Sequence, residues 1–191
     1  MHRRVILASA SPQRAALLRG LGLSFDIVPS CIAEADCQEY DPGNRARLLA
    51  RRKAEDVAAR HPDALVIGCD TLVVANNGTI LEKPVDAADA RRMLALQSGT
   101  SSEVHSGLCV LVPGQLREAL SSSVVTFRHL DDADLHWWIT TNLWQGRSGG
   151  FQIEGQGQLL IERLDGDWTG VVGLPVALLR QLMAELGVSI V

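Results

Sequence analysis

The sequence predicts an α/β fold, a mixed and twisted sheet with flanking helices. Three observations carry that prediction. Short apolar runs alternate along the chain with longer stretches of helical periodicity. The run Ala64–Ala75 reads as a long apolar strand. Two further runs flank Pro113-Gly114 as an antiparallel pair, which makes the sheet mixed. At 191 residues and 47% hydrophobic content, the chain is large enough for one substantial core, and 1–191 is expected to form one domain.

The elements follow in order. Val5-Ile6-Leu7 is the first strand, and Ala15-Ala16-Leu17-Leu18 opens the first helix. Ser11 stands at the N-cap and Pro12 at the favoured first helical position. Phe25–Pro29 reads as a second strand. Residues 43–60 place Leu48, Leu49, Ala54, Val57 and Ala58 on the inner face of a helix. His61-Pro62-Asp63 and Asn76-Asn77-Gly78 punctuate either side of the long strand. Residues 86–97 form an amphipathic helix. Glu103–Val112 and Leu120–Arg128 are strands, and Asp131–Thr140 is a short helix with an acidic start. The glycine-rich segment Gly146–Gly157 admits two readings: a close backbone approach to a ligand, or a kinked, bulged strand. Leu159–Leu164 is a strand, Asp165-Gly166 signals a hairpin, and Pro175–Leu186 is the closing helix.

Composition excludes several classes. A formal net charge of −4 argues against broad electrostatic binding to nucleic acid or anionic membrane, so any phosphate site is a local basic pocket. No uncharged apolar run approaches a spanning helix, and Val5–Ala8 is too short for a signal-peptide core. Cys31, Cys37, Cys69 and Cys109 show no metal spacing and read as reduced thiols of a cytoplasmic protein. There is no GxxxxGK[ST] loop, no complete dinucleotide fingerprint, no HExxH and no GxSxG. Trp137, Trp138 and Trp144 read as packing residues, because no basic stripe accompanies them.

A few polar residues stand out. The first helix carries Arg14 and no acid in its first turn, against the preference of the helix dipole. With the hydroxyls of Ser9 and Ser11 and the free N–H groups, that start can cradle a phosphate. It also fits an ordinary Ser-Pro cap with a solvated arginine. Asp70, in Val66–Val74, carries a desolvation cost that calls for a partner, a metal or a turn to cap. Glu34 reads by itself as a solvated loop residue, Lys53 as part of a basic solvated face, and Glu82-Lys83 as a surface ion pair.

Together these residues resemble the Maf family of nucleoside triphosphate pyrophosphatases, the septum formation inhibitor Maf-like proteins. The likeness rests on Leu7–Arg14, Arg52-Lys53-Ala54, Gly68-Cys69-Asp70-Thr71, Leu81-Glu82-Lys83-Pro84, Ser148–Gly155 and Val171–Pro175, six ordered motifs running nearly end to end. It implies hydrolysis of the bond between the α- and β-phosphates, giving a nucleoside monophosphate and pyrophosphate. It also implies a divalent cation (Mg²⁺ or Mn²⁺), a homodimer, and a fold similar to the inosine-triphosphate pyrophosphatases. By that resemblance Asp70 accepts the proton of the attacking water, Glu34 and Asp70 hold the metal, and Glu82 supports them. Ser9, Ser11, Arg14, Lys53 and Lys83 bind phosphate. The three cations are expected to face the triphosphate, so that their removal costs catalysis rather than stability. Family roles include restraint of septum formation and removal of non-standard nucleotides, and a division regulator that binds nucleotide without catalysis is the alternative. Gln13, Thr71 and Glu154 occupy the base-specificity positions. In members preferring dTTP and UTP these are Arg, Thr and Gln, and in members preferring 7-methyl-GTP they are Trp, Gln and Glu. The mixture leaves the base open, although an acceptor-only Glu154 suits the two donors of a guanine edge.

Overall fold

A computed structural model describes residues 3–189. The chain runs β1 (Val5–Leu7), α1 (Pro12–Gly20), β2 (Asp26–Ile27), α2 (Pro42–Arg60), β3 (Leu65–Val74), β4 (Ile80–Leu81) and α3 (Ala87–Gln97). It continues through β5 (Ser101–Val112), β6 (Gln115–Phe127), α4 (Asp132–Thr140), β7 (Ile161–Asp165), α5 (Trp168–Val172) and α6 (Val176–Glu185). The strands form one seven-stranded sheet in the order β2-β1-β3-β5-β6-β7, with β4 paired to β3. β1 is parallel to both β2 and β3, whereas β4 and β7 pair antiparallel, so the sheet is mixed as expected. Side chains cap α1 to α4. Ser11 starts α1, Asp41 accepts from Asn44 N at 2.7 Å, and Asp131 and Asp134 form a reciprocal capping box. Among the described residues, no helix is long and apolar enough to cross a membrane.

The chain divides into two compact units. The first comprises Met1–Asp70, Ser106–Ser121 and Gly173–Val191, and the second Thr71–His105 and Ser122–Val172. In the first, Leu7, Leu65, Ile67, Leu108 and Val110 pack with Leu18, Leu179 and Leu182 on one side of the sheet. Their neighbours Ile6, Val66 and Cys109 pack on the other side with Ala50, Ala54 and Val57 of α2. Successive strand residues point to opposite faces, and both faces are covered, which is why these strands read as unbroken apolar runs. In the second unit Val73, Met93, Leu94, Phe127, Trp138, Trp144 and Phe151 form the core, with Phe127 and Phe151 edge to face at 5.0 Å. Trp138 and Trp144 are packing residues, as expected.

Helix α2 sits directly on the sheet because two glycines make room. A Cβ at Gly68 would lie 2.2 Å from the Ala50 carbonyl oxygen, and one at Gly107 would lie 2.2 Å from that of Ala46. The buried stripe of α2 is Ala46, Leu49, Ala50, Lys53, Ala54 and Val57, while Leu48 and Ala58 are only half-buried. The inner face is thus turned from the one expected, and it includes a lysine.

Four other expectations change. The second strand shrinks to Asp26–Ile27. β6 begins at Gln115, where half-exposed residues extend the hairpin beyond the apolar segment that hydrophobicity marks. Asp165-Gly166 leads into α5 rather than a hairpin. The Asp167 carboxylate accepts from Thr169 N at 2.9 Å and its carbonyl from Val171 N at 3.0 Å, which starts a helix. The glycine-rich segment is no strand but two 3₁₀ turns, Ser148–Gly150 and Gly155–Leu160, since Gly149, Gly150 and Gly155 adopt positive φ.

Candidate active site

In the first unit, β1 connects through α1 to β2 on one side of it, and the chain then crosses through α2 to β3 on the other side. Open α/β sheets bind ligands at such a reversal, here outside the carboxyl end of β1. Ala8 N–H still bonds Ile67 O at 2.8 Å, so the chain leaves the sheet at Ser9, alongside the Gly68–Asp70 segment. Ser9 Oγ accepts from Ser11 N at 3.2 Å and from Arg14 Nη1 at 2.9 Å. Ser11 Oγ donates to Gln13 Oε1 at 2.9 Å and accepts from Arg14 N at 3.4 Å. Arg14 Nε donates to Gly173 O at 2.8 Å. The guanidinium is therefore anchored at the helix start by Ser9 and by the glycine of the Val171–Pro175 motif, and is not a loosely solvated arginine.

Asp70 shares its strand face with Gly68, two residues earlier, and so points toward α2. One turn along α2 from Ala50 stands Lys53. Its Nζ donates to Asp70 Oδ1 at 2.5 Å and lies 2.7 Å from Glu34 Oε1. Lys53 and Asp70 are 7% and 4% exposed, so the pair is buried, whereas the Glu34 side chain is 54% exposed. Lys53 is therefore not on a solvated face, contrary to the expectation from its basic neighbours. Glu34, in the 3₁₀ turn Glu34–Asp36, is not a plain solvated loop residue. Asp70 Oδ2 is buried and has no hydrogen-bond partner among the described residues. An orphaned carboxylate oxygen in the interior costs about 1–3 kcal/mol or more. The oxygen belongs to a carboxylate that shares the Lys53 ammonium with Glu34.

The neighbouring Cys69 is not a nucleophile. Burial pushes its thiol up to about 11, and burial likewise pushes Cys109 up to about 12. Cys31 is exposed. A thiol-exchange reagent at neutral pH is expected to label Cys31 rapidly in the native protein and to reach Cys69 and Cys109 only on unfolding. Loss of the fast phase in Cys31→Ser checks this.

The second unit holds the remaining positions. Thr71 follows Asp70 on β3, and the exposed Glu82 and Lys83 follow β4. Glu82 O accepts from Gly149 N at 3.1 Å, which ties that motif to the glycine-rich segment. Gln97 Nε2 donates to Gly149 O and Trp138 Nε1 to Gly150 O, both at 2.8 Å, fixing the segment to the core. Glu154 pairs with Arg147, Nη1 to Oε1 at 2.8 Å, and its Oε2 is buried with no hydrogen-bond partner among the described residues. Gln97, Trp138, Arg147 and Gln152 were not expected as supports of this region. Gln97 alone left a trace in the sequence, as a polar residue at the end of an apolar helical stripe.

Comparison with known proteins agrees with the motifs. Residues 4–186 match the family model described as Maf-like protein. A dTTP/UTP pyrophosphatase of Deinococcus radiodurans is 45% identical over 97% of this chain and 94% of its own length. One from Pyrococcus furiosus is 39% identical over 97% and 96%. Among solved structures, a HAM1 protein from Coxiella burnetii overlaps 66% of this chain and 73% of its own at 14% identity, with a TM-score of 0.44. With a family model over nearly its whole length and relatives of this identity, the chain belongs to the Maf family.

Proposed function

We propose that this protein is a metal-dependent nucleoside triphosphate pyrophosphatase that cleaves the bond between the α- and β-phosphates. The observation that carries this reading is the buried pair that Lys53 makes with Asp70 in the middle of β3, set beside Glu34, with Asp70 Oδ2 lacking a partner among the described residues. Oxygen donors from two carboxylates suit Mg²⁺ or Mn²⁺, which commonly take one or two carboxylates and complete their shell with water and substrate phosphate. A cation bound by Glu34 and Asp70 would polarise the scissile phosphoryl group and acidify the attacking water.

The chain's own residues do the rest. Arg14, Lys53 and Lys83 offset the triphosphate charge, and Ser9, Ser11 and the N–H groups opening α1 orient it. Asp70 has two oxygens in different states: Oδ1 is held by Lys53, and Oδ2 is available to take up the proton of the attacking water. One carboxylate can thereby be oriented and still act as base. Gln13, Thr71 and Glu154 choose the base. The relatives' names support dTTP and UTP as the preferred substrates.

A panel of nucleoside triphosphates with Mg²⁺ or Mn²⁺ tests the reading. The expected products are nucleoside monophosphate and pyrophosphate, fastest with dTTP or UTP. Release of orthophosphate alone would identify a terminal phosphatase. Tight binding without turnover would identify a nucleotide-binding regulator.

A further inference from the structure

Helix α2 carries a line of polar side chains that the segment leading to Glu34 follows. Lys53 Nζ lies 2.7 Å from Glu34 Oε1. One turn further, Asp56 Oδ2 accepts from Cys31 N at 3.0 Å. At the next turn, Arg60 Nη2 donates to Pro29 O at 3.2 Å and to the same Asp56 oxygen at 2.7 Å. The contacts come in order, so residues 29–34 run antiparallel to positions 60–53, a stretch of about 10 Å along the helix. No residue from 29 to 36 is buried, and the 3₁₀ turn that carries Glu34 has no side-chain cap. Little apolar packing fixes this segment, and its course depends on polar ties. Asp56 is the central tie, because it meets both Cys31 and Arg60. The Cys31 N–H, helped by Arg60, holds the Asp56 carboxyl below its ordinary value. An ionised acceptor bonds a backbone N–H more strongly than a neutral one does.

We infer that Asp56 is a positioning residue for the hydrolysis: by pinning Cys31 to α2, it presents the Glu34 carboxylate to the Lys53–Asp70 pair. The inference rests on the pyrophosphatase reading above, in which Glu34 and Asp70 hold the divalent cation. Asp70 comes from a buried strand and needs no such help. Glu34 comes from an exposed turn three residues beyond Cys31, and its side chain is 54% exposed. Its place therefore depends on where the backbone puts it. Untying Cys31 spreads Glu34 over more positions, and that lost order has to be restored each time a cation binds. In this role Asp56 acts only through Glu34.

The test compares the wild type with Asp56→Ala and Asp56→Asn. Three quantities are measured: amide hydrogen exchange across 29–36, the Mn²⁺ concentration for half-maximal pyrophosphate release from UTP, and kcat at saturating Mn²⁺. Alanine favours the helix and Asp56 is not buried, so Asp56→Ala is expected to fold, with Tm lowered by about 2–4 °C. Exchange at Cys31 is expected to rise about tenfold, and the Mn²⁺ requirement by a similar factor, the scale of one hydrogen bond to a charged group. At saturating Mn²⁺, kcat stays within about threefold, because a misplaced ligand weakens binding that ground and transition states share. Asp56→Asn keeps an oxygen for the Cys31 N–H and is expected to recover most of both losses. A merely structural role would lower Tm and kcat together and leave the Mn²⁺ requirement in place. The inference is overturned if Asp56→Ala leaves the exchange or the Mn²⁺ requirement unmoved, or if Asp56→Asn is no better than alanine. An unfolded Asp56→Ala also overturns it, since Asp56 would then belong to the fold. Pyrophosphate release with an unmoved Mn²⁺ requirement fails this inference alone, whereas no release from any triphosphate fails the pyrophosphatase reading with it.

Discussion

Asp70→Asn is expected to lower kcat for triphosphate hydrolysis at least ~10²-fold, the scale of a lost general base, while near-UV circular dichroism stays native. Asparagine keeps an oxygen able to accept from Lys53, so the buried bond to Oδ1 survives. What it loses is the charge a divalent cation needs and the basic oxygen at the Oδ2 position. It puts an amide there, a donor where an acceptor stood. Pyrophosphate release measured beside the thermal transition separates the two effects. A folded Asp70→Asn protein with wild-type turnover would show that Asp70 is neither ligand nor base.

Lys53→Met is expected to cost about 3–5 kcal/mol of stability, as breaking a buried ion pair from one side does. In a chain of this size that lowers Tm by on the order of 10 °C. The loss comes from the carboxylate left behind: Asp70 is 4% exposed and would be left buried with no cation against it. Glu34 cannot compensate, being a second negative group. The double variant Lys53→Met/Asp70→Asn removes the stranded charge and is expected to regain most of the lost stability while remaining inactive. Thermal denaturation of the four proteins checks this, and an unshifted Tm for the single variant would mean that Asp70 is rehydrated when the lysine goes. The catalysis-only effect expected of a Lys53 that faces the triphosphate gives way to a joint effect on stability and rate.

Much of this protein is decided by residues close in the sequence. The Ser11-Pro12 start of α1, the caps at Asp41 and Asp131, and the alternation of strands and helices depend on groups within one helical turn or on a two-residue strand period. Asp70 was conspicuous because a carboxylate inside an apolar strand needs an explanation wherever the strand ends up. Lys53 reads as part of a solvated face among Arg45, Arg47, Arg51 and Arg52, although it continues the buried 46-49-50-53-54-57 stripe. What that lysine touches was not legible. Its bond to Asp70 joins residues 17 positions apart and exists because Gly68 lets α2 lie against β3. The state of Glu154 is similar. Its residue type specifies an acceptor-only carboxylate, and only the folded glycine-rich segment, held by Gln97 and Trp138, shows that Arg147 pairs with it. Local periodicity and capping need only the neighbouring residues, whereas the protonic and electrostatic state of a side chain depends on which distant group the packing brings within 3 Å.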